Sequence, residues 1–168
     1  GFINFRLSNT AKTSVVQEIL TAGSQFGQLA PEDAPVSSAM IEFVSANPTG
    51  PIHVAHIRGA VLGDVISSVL ESIGHEVTRE YYVNDAGSQI KTLGKSLFKR
   101  YQQLFDIKVE LMDDEYPGNY LIDIANQIKN KDGDKWITFK DKVNLNDYFE
   151  SYATNFLINN IKDDLSLI

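Results

Sequence analysis

Two histidines, His53 and His56, stand three positions apart at the end of a run that begins at Ser45. A short apolar stretch rich in β-formers, 40–44, precedes this run, and apolar residues recur at helical spacing after it. The histidines are therefore expected at the start of a helix that follows the carboxyl end of a strand. Backbone N–H groups and the helix dipole attract anions at such a point. Neutral imidazoles can add N–H donors to a phosphate without a full charge, so the arrangement indicates a nucleotide site.

The histidine pair has two simpler interpretations. Histidines at this spacing can be surface residues, or they can be half of a zinc site. A zinc site needs further ligands, but the sequence has no cysteine and its third histidine is His75. His75 follows Gly74, the expected end of the helix, where a structural role is favoured. The sequence therefore predicts no metal site.

Apolar periodicity predicts the elements that position the histidines. Residues 76–83 alternate loosely and indicate a second strand, parallel to 40–44, so that a helix over 54–73 completes a right-handed βαβ unit. Residues 84–87 then end this strand at the same edge as the histidines. The other predicted elements are a strand at 3–7, a helix from Ser8 or Asn9 to Gly23, a loop over 24–38, and three helices with apolar stripes at 90–104, 120–128 and 149–161.

Composition is that of a globular domain from a reducing compartment. Hydrophobic residues make up 43% of the 168 residues, and the chain contains no cysteine and no apolar run of membrane-spanning length. The formal net charge of −7 does not attract a polyanion, so a contact with RNA would need a local basic patch. One helical cluster of basic residues exists, and a solvated helix face is favoured for it over an RNA contact: Lys91, Lys95, Lys99 and Arg100.

The residues around the histidines carry a family resemblance. The run from Ile41 to His56 reads Ile-Glu-Phe-Val-Ser-Ala-Asn-Pro-Thr-Gly-Pro-Ile-His-Val-Ala-His. It resembles the first signature of class I aminoacyl-tRNA synthetases, His-Ile-Gly-His, in the form carried by arginyl-tRNA synthetase. Further stretches are similar to the same family: 58–60, 63–64, 77–90, 116–120 and 2–7.

The resemblance implies that the parent enzyme joins arginine to its tRNA in two steps. The arginine carboxylate attacks the α-phosphate of ATP to give arginyl-adenylate and pyrophosphate, and the tRNA then accepts the arginyl group. The protein positions the reactants and stabilises charge on the phosphate oxygens. The implied partners are arginine, Mg-complexed ATP as a substrate, and tRNA, with no bound organic cofactor, no membrane and a cytoplasmic location.

The resemblance implies roles for the histidines and the residues before them. His53 and His56 are the expected catalytic pair, which donates hydrogen bonds to the ATP phosphates. The expected nucleotide-binding residues form one continuous run: Ala46, Asn47, Pro48, Thr49, Gly50, Pro51, Ile52, His53, Val54, Ala55 and His56.

A second group of residues is expected beside the amino acid. By resemblance, Glu42, Ser45 and Asn47 bind arginine, because a carboxylate there can meet the α-ammonium or the guanidinium. Asp85 and Gln89, at the neighbouring strand end, are further candidates. A cap on the helix that follows explains Asp85 equally well.

The fold class implied is α/β, a partial Rossmann-like class I synthetase catalytic domain with parallel strands, crossover helices and a mostly helical C-terminal insertion. Two features depart from the family pattern: Ala55 replaces the glycine between the histidines, and the family's Lys-Met-Ser-Lys-Ser loop is absent from the sequence. The chain also starts without a methionine, so we expect an internal fragment that is inactive alone and self-associates. The expected divisions are the end of an N-terminal domain (1–22), a linker (23–38), the first half of the nucleotide-binding fold (39–94) and a helical insertion (95–168).

Three other interpretations stay open at this stage. Another class I synthetase would share the histidine pair, although a cysteinyl enzyme would need zinc-binding cysteines. A small nucleotidyltransferase with an HxGH signature would be complete near this length, but it would not be expected to carry the continuation at 84–87. A non-catalytic binding or assembly module is the third possibility.

Overall fold

The computed structural model describes residues 1–29 and 37–167. Two strands and five α-helices cover most of these residues: α1 Asn9–Ala22, β1 Ser38–Glu42, α2 Val54–Ser72, β2 Glu76–Glu80, α3 Ser88–Gln103, α4 Tyr120–Asp132 and α5 Lys142–Leu165. A short 3-10 helix, Gly23–Gln25, follows α1 directly. None of the described helices combines the length and the apolar character needed to cross a membrane.

The two strands form a parallel pair, as predicted. The Glu76 N–H donates to the Ser37 carbonyl at one end of the pair, and the Phe43 N–H donates to the Glu80 carbonyl at the other, both at 3.2 Å. Residues that pair in the same chain order at both ends define a parallel register. With α2 between them, the strands confirm the predicted βαβ unit, although each strand ends earlier than the sequence indicated.

The strand predicted at 3–7 is wrong. Residues 1–8 form neither helix nor strand, and the alternating side chains Ile3, Phe5 and Leu7 are all exposed. A strand is stable when its backbone groups pair with a neighbour. In the part of the chain that the structure describes, the sheet consists of β1 and β2 and does not include this segment.

The chain divides into two compact units. The first unit contains Gly1–Ile41 and Val65–Thr78, and the second contains Glu42–Asp64 and Arg79–Ile168. The divisions expected from the sequence at residues 22, 38 and 94 follow different boundaries and stay a prediction. Of the loop expected over 24–38, residues 30–36 lie outside the described residues.

In the first unit, α1 begins and ends where the sequence predicted. The Ser8 side chain accepts a hydrogen bond from the Ala11 N–H at 3.1 Å, which satisfies one free donor of the first turn. Gly23 ends the helix at a φ of 55°, a conformation that glycine adopts at little cost. In the same unit the Ser37 hydroxyl bonds the His75 Nδ1 at 2.7 Å, which confirms a structural role for this histidine.

In the second unit, α3, α4 and α5 form a helical body with a continuous apolar core. Helix α3 packs against both α4 and α5. Residues of the apolar stripes predicted for these helices are buried, as expected from their spacing: Leu93, Leu97 and Tyr101 on α3, Leu121, Ile124, Ala125 and Ile128 on α4, and Phe149, Ala153 and Leu157 on α5. Leu145, which precedes the stripe predicted at 149–161, belongs to the same core. Between α4 and α5, Trp136 stacks on Tyr148 with ring centroids 4.1 Å apart.

A carboxylate is also held inside the helical body by two hydrogen bonds. Asp132 accepts one from the Trp136 indole at 2.8 Å and one from the Tyr148 hydroxyl at 2.5 Å. Burial alone would raise the pKa of the Asp132 carboxyl, but these two bonds lower it below its usual value. The ionised carboxylate therefore joins α4 to α5.

The prediction that the four basic residues of α3 form a solvated face is wrong for two of them. Lys99 bonds Glu115 at 2.7 Å, and their side chains are only 24% and 7% exposed. Arg100 donates to the Pro117 carbonyl at 2.7 Å. The segment that follows α3 folds back over this face, so the two cations hold that segment instead of facing solvent.

Candidate active site

The connection from β1 to α2 begins with two residues in the left-handed region. Val44 has a φ of 66° and Ser45 a φ of 40°, and the Ser45 N–H donates to the Phe43 carbonyl at 3.0 Å. A β-branched residue rarely adopts such a φ because its side chain crowds the backbone. The strain persists only where neighbouring contacts determine the conformation, and this occurs most often at functional sites.

Glu42 and Ser45, both predicted to bind arginine, are brought together by this turn. The Ser45 hydroxyl donates to Glu42 Oε1 at 2.7 Å and accepts a bond from the Tyr82 N–H at 3.0 Å. The ends of β1 and β2 are thereby joined through one hydroxyl group. Glu42 remains exposed, so its carboxylate can still meet a cationic ligand.

Asn47, the third predicted arginine residue, is fixed by two amide side chains. Its Nδ2 donates to Gln89 Oε1 at 2.8 Å, and its Oδ1 accepts from Asn84 Nδ2 at 2.9 Å. The structure thus brings Asn47 and the candidate Gln89 into direct contact. Asn84 was not selected from the sequence as a site residue, although the motif at 84–87 was the available signal.

Asp85, the other candidate beside Gln89, lies apart from these amide bonds. It is exposed and lines a cavity of about 200 Å³ with Glu150 and Thr154. The alternative in which Asp85 caps α3 is wrong, because Gly87 occupies the N-cap position with a φ of 95°. The helix therefore begins beyond the reach of a cap at residue 85.

The predicted nucleotide-binding run forms an ordered path from the sheet to α2. Ala46 and Pro48 are buried, and the Ala46 carbonyl accepts a bond from the Tyr81 hydroxyl at 2.6 Å. The Thr49 carbonyl accepts a bond from the Tyr120 hydroxyl at 2.5 Å. The remaining residues of the run are half-buried or exposed: Gly50, Pro51, Ile52, His53, Val54, Ala55 and His56.

A close contact sets the middle of α2 against the end of β1. A Cβ atom at Gly63 would overlap the Phe43 ring, which no real side chain could tolerate. The missing side chain therefore lets α2 lie directly on the residue that follows β1. This packing fixes the middle of α2 beside the end of the strand, and the continuous helix connects that point to its first turn.

The His56 ring caps the start of α2. The His53 carbonyl accepts bonds from the N–H groups of His56 and Ile57 at 2.8 and 3.2 Å, and the His53 N–H donates to His56 Nδ1 at 3.3 Å. The bond from the His53 N–H to the His56 ring corresponds to one of the two bonds of a capping box, with an imidazole in place of the usual carboxylate. The two rings stack with centroids 3.8 Å apart.

The cap determines which nitrogen of His56 carries the proton. Since Nδ1 accepts the backbone N–H, the proton of the neutral ring lies on Nε2. Burial, together with the charge of nearby His53, lowers the pKa of His56 from its usual 6.5. At neutral pH the ring is therefore an uncharged Nε2–H donor beside the free N–H groups of a helix start, which suits an anionic ligand.

The described residues contain no cluster of three or more histidine, cysteine, aspartate or glutamate side chains placed to hold a metal ion. The chemistry at this edge is instead that of hydrogen-bond donors beside one carboxylate. Such a set can bind phosphate and an organic cation side by side.

Comparison with known proteins agrees with this geometry. Residues 15–147 match the family model described as tRNA synthetases class I (R), catalytic domain. The parallel βαβ unit with two histidines at the helix start thus lies within the match to a class I synthetase catalytic domain.

Individual relatives identify the arginyl branch of this class. An arginine–tRNA ligase of Magnetococcus marinus is 49% identical over 82% of this chain, and one of Anaplasma marginale is 40% identical over its whole length. A crystal structure assigned to arginyl-tRNA synthetase in Campylobacter jejuni superposes with a TM-score of 0.80 and 33% identity over 95% of this chain. The chain belongs to the arginyl family of class I tRNA synthetases, which confirms the predicted family and fold class.

The match covers a limited part of these proteins. The chain spans 24% and 28% of the two ligases and 34% of the Campylobacter chain. It therefore corresponds to part of the length of these longer proteins.

Proposed function

We propose that this chain supplies the first nucleotide signature of an arginine–tRNA ligase and part of its arginine pocket. The observation that carries the proposal is the His53–His56 cap at the start of α2, in a chain of the arginyl family. The cap presents a neutral Nε2–H donor at a helix N-terminus. Both features favour the phosphates of ATP.

In the proposed reaction, an arginine carboxylate oxygen attacks the α-phosphorus of ATP. A bond forms from that oxygen to phosphorus, and the bond from the α-phosphorus to the bridging oxygen breaks to release pyrophosphate. Negative charge grows on phosphate oxygens, and hydrogen bonds from His53 and His56 to those oxygens lower the barrier. The step needs no proton transfer, so a neutral donor serves better than a general base.

Arginine is proposed to lie beside Glu42, Ser45 and Asn47. One Glu42 oxygen is bonded to Ser45, which orients the carboxylate toward the α-ammonium or the guanidinium of the substrate. Asn47 is oriented by Asn84 and Gln89, so its amide is held rigidly at the same sheet edge. Oriented polar groups of this kind hold a substrate in the attacking geometry.

We also propose the substrates, the lack of an organic cofactor and the location that were expected from the sequence. ATP enters as its Mg complex, tRNA accepts the arginyl group, no organic cofactor takes part, and the enzyme is cytoplasmic. The isolated chain is proposed to be inactive and to self-associate, because α2 exposes apolar side chains such as Val61 and Leu62. Sedimentation of the isolated chain at increasing concentration tests the self-association.

The test of the function is pyrophosphate exchange by the full-length gene product that carries this chain. We expect exchange that requires arginine and tRNA and that lysine does not support. Adenylyl transfer to a small acceptor without amino acid would instead favour a nucleotidyltransferase. ATP binding without exchange in the full-length protein would favour a non-catalytic module.

A further inference from the structure

A side chain of α4 contacts the loop between β1 and α2 at Thr49 and Gly50. The hydroxyl of Tyr120, the first residue of α4, donates to the Thr49 carbonyl at 2.5 Å. The phenol ring also lies against the next residue, since a Cβ atom at Gly50 would meet the phenol oxygen at 3.6 Å. One side chain of the helical body thus contacts two successive residues of the proposed nucleotide loop.

The turn before Tyr120 is constructed to place this ring. Its backbone is fixed to α3, because the Tyr116 N–H donates to the Ser96 hydroxyl at 3.0 Å and Arg100 donates to the Pro117 carbonyl at 2.7 Å. A Cβ atom at Gly118 would overlap the Tyr120 ring. A residue with a side chain at position 118 would therefore displace the ring.

We propose that Tyr120 is a positioning residue for the nucleotide site, which fixes the Thr49–Gly50 backbone to the helical body and so sets where the histidine pair stands. The inference rests on the proposed function of His53 and His56. It assigns to the turn at 116–120 a role in ATP binding that acts through the backbone at Thr49 and Gly50.

The other fixed points of the loop show why this contact matters. Asn47 is bonded to Gln89 and Asn84, and His53 is held by the start of α2. Tyr120 contacts the loop between these two points. Without that contact the backbone at 48–52 would fluctuate between its ends, and the donors at the helix start would spend less time in the productive geometry.

The hydroxyl group of Tyr120 is suited to a permanent bond. Burial, with a smaller contribution from Tyr116, raises its pKa to about 12. The group therefore remains a protonated donor throughout the pH range in which the enzyme would work.

The first test is Tyr120→Phe in the full-length gene product, which removes only the hydroxyl group. We expect kcat/KM for ATP to fall about tenfold, equivalent to about 1.4 kcal/mol, while KM for arginine stays within about twofold. Tyr101→Phe is the matched control, because the Tyr101 hydroxyl also donates to a backbone carbonyl, that of Gly133, at 2.5 Å. This control lies in the helical body away from the loop and should change ATP kinetics by less than about twofold, whatever its effect on stability.

A second variant and a second readout separate positioning from general destabilisation. Gly118→Ala keeps the hydroxyl group but should displace the ring, so it should lower kcat/KM for ATP, as Tyr120→Phe does. In Tyr120→Phe, hydrogen exchange of the Thr49 amide, which donates to Asn47, should become about tenfold faster. Exchange of the Leu121 amide, in the first turn of α4, should not change.

Two results would overturn the inference. One is ATP kinetics of Tyr120→Phe within about twofold of the wild type, and the other is an equal loss in Tyr120→Phe and Tyr101→Phe. If the wild-type protein shows no arginine-dependent exchange, the proposed function fails, and the Thr49 amide then decides the inference. Tenfold faster hydrogen exchange of the Thr49 amide in Tyr120→Phe would support positioning by Tyr120, and an unchanged exchange rate would overturn it.

Discussion

The helical body and the signature segment Glu42–Asp64 belong to the same compact unit but differ in what holds them. Tyr101 and Phe149 of the helical body are fully buried among apolar neighbours, whereas His53 and Asn47 of the signature segment are exposed. The signature segment is held by hydrogen bonds at a few points: Ser45 to Glu42, Asn47 to Gln89, and Tyr120 to Thr49.

The two kinds of support differ in strength and in purpose. Burying a large apolar side chain contributes roughly 1.5–3 kcal/mol, and a net hydrogen bond contributes roughly 0.5–1.5 kcal/mol. The helical body therefore resists opening more strongly than the signature segment does. In return, the signature segment keeps its donors and its carboxylate accessible to ligands, which a close-packed core could not do. The helical body therefore positions the exposed signature segment through a few directed bonds.

The largest effect on stability is expected in the helical body. Phe149→Ala in the 168-residue chain should lower the free energy of unfolding by about 3–5 kcal/mol, because it leaves a cavity beside Tyr101 and Trp136. Urea unfolding followed by the fluorescence of Trp136, the single tryptophan, measures this change. The control is Phe2→Ala at a fully exposed position, which should leave stability nearly unchanged. Equal losses in both variants would contradict the proposed division between core and surface.

The largest effect on chemistry is expected in the signature segment. His53→Ala or His56→Ala in the full-length gene product should slow adenylate formation by roughly 10²–10³-fold, about 3–4 kcal/mol, with little change in arginine affinity. Quench-flow measurement of the first turnover gives this rate. His75→Ala serves as a control, since this histidine bonds Ser37 in the other compact unit. Rates within a few-fold of the wild type for both site variants would exclude the proposed role.

A smaller effect is expected for the exposed carboxylate. Glu42→Gln should weaken arginine binding by about 1.5–3 kcal/mol, because a charged hydrogen bond to the substrate is lost with little change of shape. ATP binding should persist. Calorimetric titration with arginine measures the change, and Glu76→Gln on β2 provides an exposed control. Unchanged arginine affinity would place Glu42 in a structural role through its bond to Ser45.

Local signals in the sequence were sufficient to predict the helices but not the contacts between distant parts of the chain. The cap at Ser8, the end at Gly23 and the stripes of the helical body follow from rules that act within a few residues. The alternation at 3–7 failed as a strand prediction because alternation does not specify a partner strand. The bond from Tyr120 to Thr49 joins residues 71 positions apart, so no local rule could identify it.

The central claim is that His56 presents a neutral Nε2–H donor to the phosphates of ATP. Nitrogen-15 NMR of the imidazole, assigned by the His56→Gln variant, tests it in the full-length gene product. Since the folded state lowers the pKa of His56 below 6.5, the unfolded chain takes up this proton first, and the associated stability is lost as pH falls through the folded pKa. Near pH 7 we predict a neutral ring with its proton on Nε2, and a shift of the Nε2 resonance when a non-hydrolysable ATP analogue binds. An imidazolium, a proton on Nδ1, or an Nε2 resonance unmoved at saturating analogue would contradict the account.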